Sequence, residues 1–498
     1  MTDNHTLVLN PEQTHAVKQL KLFLNSLNYN NFLLMGPAGS GKTTVIVNAF
    51  NPWDVADKPI LPATIAKKKR VIFSAFTNKA TNVLRKAYNK YQIDYLSCEF
   101  MTIHNLLKLE PNCDGDHLSF LYDENKMDYL REYDVLVFDE CSTISRELYS
   151  FVKSAYTYVR TKFFHSLKLI FLGDYYQLPP PGDSSAIVFD TATENKWPVS
   201  KLSKVMRSAN PYMEEVNQKL LAAIQDMKRE NVLETFAAKY PQNMVTGPFI
   251  KKDRDFVEAY MTEWLDKKNN DVVMLTYTKK NCERLNEMVQ EILHPQIDPK
   301  DMKFFVGDRL YLNRPAVLCL FYTTKDSSYF EYTPTEKKIY NGEIYDILQT
   351  RHGRVKTLLN RLLEEFKIDC EMTAYFDCQL LTIKDGDDYV EVPYIRTEHI
   401  EYAKKLLTGK MRNKKYKEAV SEFYKLFPSI NYGYAMTIYK AQGSEWSHVF
   451  IQLPSIKYSM HNQAMVEKFP LHKRNEMMFK STYTAITRAS ENIQCIWY

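Results

Sequence analysis

Gly36, Gly41, Lys42 and Thr43 stand at the spacing G-x-x-x-x-G-K-[ST] within LLMGPAGSGKTT, Leu33 to Thr44. The glycines let the backbone turn tightly enough to aim successive N–H groups at a phosphate chain. Lys42 can then reach the β- and γ-phosphates, and the Thr43 hydroxyl can take a position on Mg²⁺. The whole loop, Gly36, Pro37, Ala38, Gly39, Ser40, Gly41, Lys42, Thr43 and Thr44, is therefore a candidate contact surface for a nucleoside triphosphate. Asp139 and Glu140 close the apolar run Val135 to Phe138. At a strand end, the first carboxylate can meet Mg²⁺ directly or through water, and the second can orient and deprotonate an attacking water. Gln177, in LKLIFLGDYYQLPP from Leu167 to Pro180, offers a neutral amide suited to sensing a γ-phosphate. Arg207 and Arg488 lie far along the chain, where a second domain folded against the first can bring their charge to the γ-phosphoryl group.

These side chains need strands and helices to hold them. The apolar lead-in to Gly36 predicts a buried parallel strand, and VIVNAF from Val45 a helix whose positive end faces the phosphates. Before it, Asn10-Pro11 opens an amphipathic helix, PEQTHAVKQLKLFL, in which Gln13 either contacts an adenine edge or is an exposed helix-start residue. Residues 51–69 read as a surface loop. VIFSAF, Val71 to Phe76, repeats the strand, and Thr77, Asn78 and Lys79 form its polar turn, gripping a polymer phosphate or capping the next helix. Phe100 to Leu109 predicts a helix from about Ile103, and 111–131 a small inserted hairpin whose Phe120, Leu121 and Tyr122 form either an apolar wedge or a small core.

A second αβ half follows. DVVMLTYTKKNCERLNEMV predicts a strand at 272–276 and a helix from about Asn281, with Thr278 and Lys279 placed like Thr77 and Asn78. YAMTIYKAQGSEW, Tyr434 to Trp446, and the strand-like HVFIQL complete it. Between lie alternating runs at 303–315, 337–348 and 387–395, the second with an Asn-Gly turn, which predict β-structure with helical stretches near 355–366 and 398–427. The basic run Lys410 to Val420 either meets a phosphate backbone or is a solvated face.

Taken in order, GPAGSGKT, AFTNKA, TIH at Thr102 to His104, VFDE, GDYYQLPP, MRS, TIYKAQGSEW and YTAITRA resemble the blocks of superfamily 1 DNA helicases. The resemblance is to the RecD-like and Dda-like branch that moves 5′ to 3′, and it runs from Gln13 to Arg488. It implies an α/β fold with two RecA-like parallel-sheet motor domains, a hairpin insertion that splits the duplex, and an SH3-like β-rich insertion. The implied division is 1–110 and 132–200 for the first motor domain, with the hairpin at 111–131. The second motor domain takes 201–319 and 429–498, with the β-rich insertion at 320–428. It also implies that Thr77, Asn78, His104, Thr437, Lys440 and Gln442 line the strand or link it to ATP; Lys79 and Thr278 join them by their position after a strand, and Phe120 is the wedge candidate by residue type alone. ATP and Mg²⁺ are the implied cofactors, and single-stranded DNA and its junctions with duplex the implied partners. Replication or recombination proteins are further expected partners of a monomeric enzyme. A translocase that remodels protein–nucleic-acid complexes, an RNA helicase, and a nucleotide-gated scaffold without turnover are the alternatives; an intact Glu140 and Gln177 weigh against the last.

Composition is compatible with all of these. The 498 residues predict two to four domains. With 45% hydrophobic and 25% charged residues the chain has ordinary soluble composition, and no apolar run approaches the roughly 18 residues of a membrane helix. The first residues lack the pattern of a cleavable signal. A net charge of +5 permits a nucleic-acid partner without requiring one. The eight cysteines include no C-x-x-C pair, and Cys370 with Cys378 makes only a poor match to zinc spacing. Reduced thiols and a cytoplasmic or nuclear location are expected.

Overall fold

The computed structural model describes residues 9–50, 69–90, 96–114, 117–183, 185–205, 252–267, 269–297, 304–313, 316–323, 329–339, 343–365, 367, 375–385, 388–395, 405 and 414–496. By contacts the chain falls into two compact units, Met1–Cys282 with Met436–Tyr498, and Glu283–Ala435.

In the first unit, helix α1 (Pro11–Asn25) starts on a reciprocal cap. The Asn10 side chain accepts from the Gln13 N–H, the Gln13 side chain accepts from the Asn10 N–H, and Pro11 supplies a helix-ready φ. Strand β1 (Asn31–Met35) follows, then α2 (Lys42–Ala49), β2 (Lys69–Ala75), α3 (Asn78–Lys90), β3 (Leu96–Thr102) and the short α4 (Ile103–Leu106). A hairpin, β4 (Glu110–Asp114) and β5 (His117–Leu121), precedes β6 (Val135–Phe138). Helix α5 (Arg146–Phe163), β7 (Lys168–Gly173), α6 (Ile187–Glu194) and β8 (Val199–Lys201) complete a six-stranded sheet in the order β3-β2-β6-β7-β1-β8, with neighbouring strands parallel throughout.

Burial on both faces explains why these strands are continuous apolar runs. Alternate residues enter opposite cores, Phe32, Leu34, Val71, Phe73, Val135, Val137, Ile170 and Leu172 on one face, and Leu33, Ile72, Leu136, Phe138, Leu169 and Phe171 on the other. A one-residue slip of any strand would exchange the residues of the two cores and force both to repack. β3, an edge strand whose residues alternate in exposure, is not among the strands expected from the sequence. The hairpin is narrower than 111–131. Residues Glu124–Glu132 form a 3-10 helix whose Met127 and Leu130 enter the main core.

The buried Lys168 ties β7 to the end of α1. Its Nζ donates to the carbonyl oxygens of Phe23 at 2.8 Å, which also accepts the Ser26 N–H, of Ser26 at 2.6 Å and of Tyr29 at 2.9 Å, gathering the end of α1 and the chain that follows it around one ammonium. Lys168→Met keeps the length and removes the donors, so it should cost about 2–3 kcal/mol in urea unfolding with the m-value unchanged. A midpoint equal to wild type would show those carbonyls well served otherwise.

The same unit contains a second sheet, ordered β18-β9-β19-β20, from β9 (Val272–Thr276), β18 (Ala435–Thr437), β19 (Trp446–Gln452) and β20 (Ala489–Ile496). β19 is parallel to both β9 and β20. The helix Leu471–Ile486 leads into β20 and buries most of its length. No helix among the described residues is long and apolar enough to cross a membrane.

The second unit is β-rich, as its alternating runs predict. β10 (Arg309–Leu312) lies between β13 (Ile344–Asp346) and β17 (Ile430–Tyr432). A five-stranded sheet runs β11 (Ala316–Thr323), β12 (Tyr329–Ile339), β14 (Gln349–Val355), β15 (Phe376–Asp385), β16 (Asp388–Tyr394). The helices Leu358–Glu365 and Lys414–Leu426 close over it around Val355, Leu363, Phe376, Leu380 and Phe423. The unit is wider than 320–428 because β10 and β17 pair with each other, bringing both flanks into it. Cys378 is buried in this core, and Cys370 lies outside the described residues.

Candidate nucleotide and strand site

The phosphate loop leaves β1 and enters α2 through Gly41, which sits at φ +83°, a left-handed conformation that favours glycine. No side chain caps α2, so its first N–H groups face the loop. A side chain at Gly41 would run into the Gln13 amide, and one at Gly36 into the Ser40 hydroxyl. Gln13 is buried and donates through Nε2 to the Ser40 carbonyl at 3.1 Å, while its Oε1 serves the α1 cap. Those contacts use one N–H and one lone pair, leaving one N–H and one lone pair of the amide for a base edge. Lys42 Nζ donates to the carbonyls of Gly36 at 2.8 Å and Pro37 at 3.1 Å, so the ammonium lies within the loop it is to serve.

Three carboxylates surround that lysine. Asp139 follows β6 and accepts the Glu140 N–H at 2.9 Å. Its carboxyl is pushed up, first by burial and then by Glu140, against the pull of Lys42. Asp174, at the end of β7, is also held above its ordinary value, chiefly by burial and again against Lys42. Glu140 has the left-handed backbone φ 51°, ψ 43°, which costs a non-glycine residue roughly 1 kcal/mol and turns the chain sharply after Asp139. The turn fits because β7 ends in Gly173; a side chain there would meet the Cys141 sulfur.

Several buried polar atoms nearby have no hydrogen-bond partner in the protein: Ser40 Oγ, Glu140 Oε2, Ser142 Oγ, and both amide atoms of Gln177. Each such atom costs about 1–3 kcal/mol if left unsatisfied, so this concentration around a phosphate loop fits a site completed by a polar, charged ligand. The surplus of carboxylate over the single Lys42 ammonium fits a divalent cation beside Thr43 and Asp139.

The second sheet meets the first here. Gln442 Nε2 donates to the Leu178 carbonyl at 3.0 Å, the Leu178 N–H donates to Thr484 Oγ1 at 3.0 Å, and the Tyr483 hydroxyl donates to Asp174 Oδ2 at 2.7 Å. Gly443, at φ +76°, lies opposite Thr77 and Ala80, which a side chain there would touch. Arg488 is buried and donates to Thr484 O at 3.1 Å, Ser444 O at 3.2 Å and Thr487 Oγ1 at 3.3 Å, groups of its own half, while its charge reaches Tyr483. Arg207 lies outside the described residues.

The strand candidates fall at strand ends. Thr77 and Thr278 each accept a backbone N–H three residues on, from Ala80 at 3.1 Å and Asn281 at 3.2 Å, so both cap the helix that follows. Asn78 and Lys79 open α3. Thr437 accepts the Lys440 N–H at 3.4 Å. His104 packs edge-on against Phe76 (ring centroids 5.4 Å) and tilted against Phe120 (4.8 Å), and burial lowers its pKa, so it presents a neutral ring rather than a cation. Phe120 pairs with Pro111 at the base of the hairpin, away from the Asp114–His117 pair. The sequence singles out none of Phe76, Tyr483 and Asp174, although Asp174 follows a buried strand as Asp139 does, and that shared position is the available signal.

The parallel sheet, the loop at a strand's C-terminal end and the paired acids define a nucleotide-binding P-loop domain. The family profile described as an AAA domain matches residues 19–183. An uncharacterized protein of Acanthamoeba polyphaga mimivirus is 24% identical over 534 aligned residues, covering 98% of this chain and 99% of that one. The RecBCD enzyme subunit RecD of Buchnera aphidicola is 30% identical over 191 residues, 36% of this chain and 27% of that protein. Among solved structures, Pif1 helicase from Bacteroides with ADP-AlF3 and ssDNA matches 98% of this chain with 92% of its own, at 14% identity and TM-score 0.46. Pif1 helicase from Candida albicans matches 99% with 95% of its own, at 15% identity and TM-score 0.46.

Proposed function

We propose that the protein is an ATP-driven DNA helicase of the RecD-like and Dda-like type, moving 5′ to 3′ on one strand and separating the duplex ahead. The observation that carries this reading is the set of partnerless buried polar atoms around Lys42, on a loop hydrogen-bonded through residues 174–178 to a second parallel sheet. A nucleotide site built across two sheets can turn binding and hydrolysis into movement of one against the other.

In this reading Lys42 and the loop N–H groups hold the phosphates, and Thr43 and Asp139 would hold Mg²⁺, which would supply positive charge to the phosphates when bound. Glu140 takes a proton from the attacking water, which Gln177 positions against the γ-phosphate. Arg207 and Arg488 neutralise the charge that develops there, and Gln13 reads the base. Thr77, Asn78, Lys79, Thr278, Thr437 and Lys440 track the backbone of the strand, and Gln442 joins that track to Leu178. The rings of Phe76, His104 and Phe120 offer a stacking row that any base can use, with Phe120 at the point of duplex separation. The enzyme acts as a monomer on single strands and their junctions.

Duplexes with a 5′ or a 3′ single-stranded tail test this reading. Strand separation with ATP should occur on the 5′-tailed substrate and be at least about tenfold slower on the 3′-tailed one. Preference for the 3′ tail would overturn the polarity. Strand-stimulated hydrolysis without separation of either duplex would favour a translocase, and faster separation on an RNA track an RNA helicase.

A further inference from the structure

The segment 174–178 is fastened at both ends, and its fastenings cross between the two sheets. At one end Asp174, fully buried, accepts three donors: the Ala38 N–H of the phosphate loop at 3.1 Å, the Tyr483 hydroxyl at 2.7 Å and the Tyr176 N–H at 3.0 Å. The Ala38 and Tyr483 donors share one oxygen, Oδ2. At the other end the Leu178 backbone is held by Thr484 and Gln442. Between them lies Gln177, whose amide has no partner in the protein.

We propose that Asp174 and Tyr483 are positioning residues that form a latch, through which the second sheet sets the geometry of both the phosphate loop and Gln177. The inference rests on the nucleotide-driven motor reading above. A carboxylate oxygen shared by a loop N–H and a hydroxyl from the other sheet cannot follow one without straining its bond to the other, and bonds to a carboxylate are the stronger kind. A displacement of the helix Leu471–Ile486, which carries Tyr483 and Thr484, therefore acts on Ala38 through Asp174 and on Gln177 through both ends of its segment. Strand engagement on the second sheet, reported by Gln442 at Leu178, thereby reaches the γ-phosphate position.

The test is Tyr483→Phe in the full chain, which removes one hydroxyl and keeps the ring. ATP turnover is measured with and without saturating oligothymidine, alongside oligothymidine affinity and thermal melting. The factor by which the strand stimulates kcat should fall about tenfold, the size expected for one bond to a charged group, while strand-free kcat and strand affinity stay within about twofold. In an Asp174→Asn background, Tyr483→Phe should add little, since the two act through one bond. Full stimulation in folded Tyr483→Phe, or a lowered melting temperature with stimulation intact, overturns the latch. Multiplicative effects of the two substitutions overturn it as well. If Tyr483→Phe does not fold, Asp174→Asn is read by the same stimulation factor. Wild-type protein that no strand stimulates would instead defeat the motor reading, a separate outcome.

Discussion

Lys42→Ala is expected to lower strand-stimulated ATP hydrolysis at least about a hundredfold while leaving the protein folded. The rate effect follows from losing the one ammonium on the loop, a contact of the kind that contributes most where charge develops in the transition state. The structure adds a ground-state reason. Lys42 opposes the upward shift of both Asp139 and Asp174, so its removal leaves buried carboxylates with less compensation and pushes Asp139 further toward the neutral form, a poorer partner for a divalent cation. The stability cost should be small, on the order of 1–2 kcal/mol, because the ammonium is only half-buried and the carbonyls of Gly36 and Pro37 keep access to other donors. Phosphate release at saturating single strand, beside a thermal melt, checks both halves of the expectation. A rate within a few-fold of wild type would mean that nucleotide turns over somewhere other than at residues 36–44.

Buried parallel strands are apolar runs ending in polar residues, which is why β1, β2, β6, β7 and β9 can be read with their turns from sequence alone. The loop spacing and the Asp139-Glu140 pair are equally legible, because their chemistry is local. What depends on contacts across the chain is not. Tyr483 sits in an apolar helical pattern 309 positions from Asp174, and nothing in either neighbourhood announces the bond. Gln13 shows the same limit. Its position suggests a base contact, and the fold also gives it to the α1 cap and to Ser40. Thr77 and Thr278 cap their helices, a role their sequence position left open beside phosphate contact. Residue type alone makes Phe120 a wedge candidate, and only the register of the hairpin puts it at the base against His104. In the second unit alternation revealed the strands, whereas its limits depended on the pairing of β10 with β17, about 120 residues apart in sequence.

Glu140→Gln should separate binding from turnover. The substitution keeps the shape of a side chain whose Oε2 is buried without a protein partner, and it preserves the left-handed backbone that aims it. An amide cannot accept the proton of the attacking water, so kcat should fall about a thousandfold, within the range general-base catalysis contributes. Nucleotide affinity should move the other way or not at all. Glu140 is the second cause of the upward shift of Asp139, and removing that like charge lowers the Asp139 carboxyl toward its ordinary range, making the carboxylate form more available to a cation beside the phosphates. The variant should therefore bind a fluorescent ATP analogue at least as tightly as wild type, hold single strands in its presence, and separate no duplex. Single-turnover hydrolysis together with equilibrium nucleotide binding distinguishes this from a damaged site, in which both would fail. Hydrolysis within about tenfold of wild type would assign water activation to another group, and Gln177, with both amide atoms buried and partnerless, would be the next to replace.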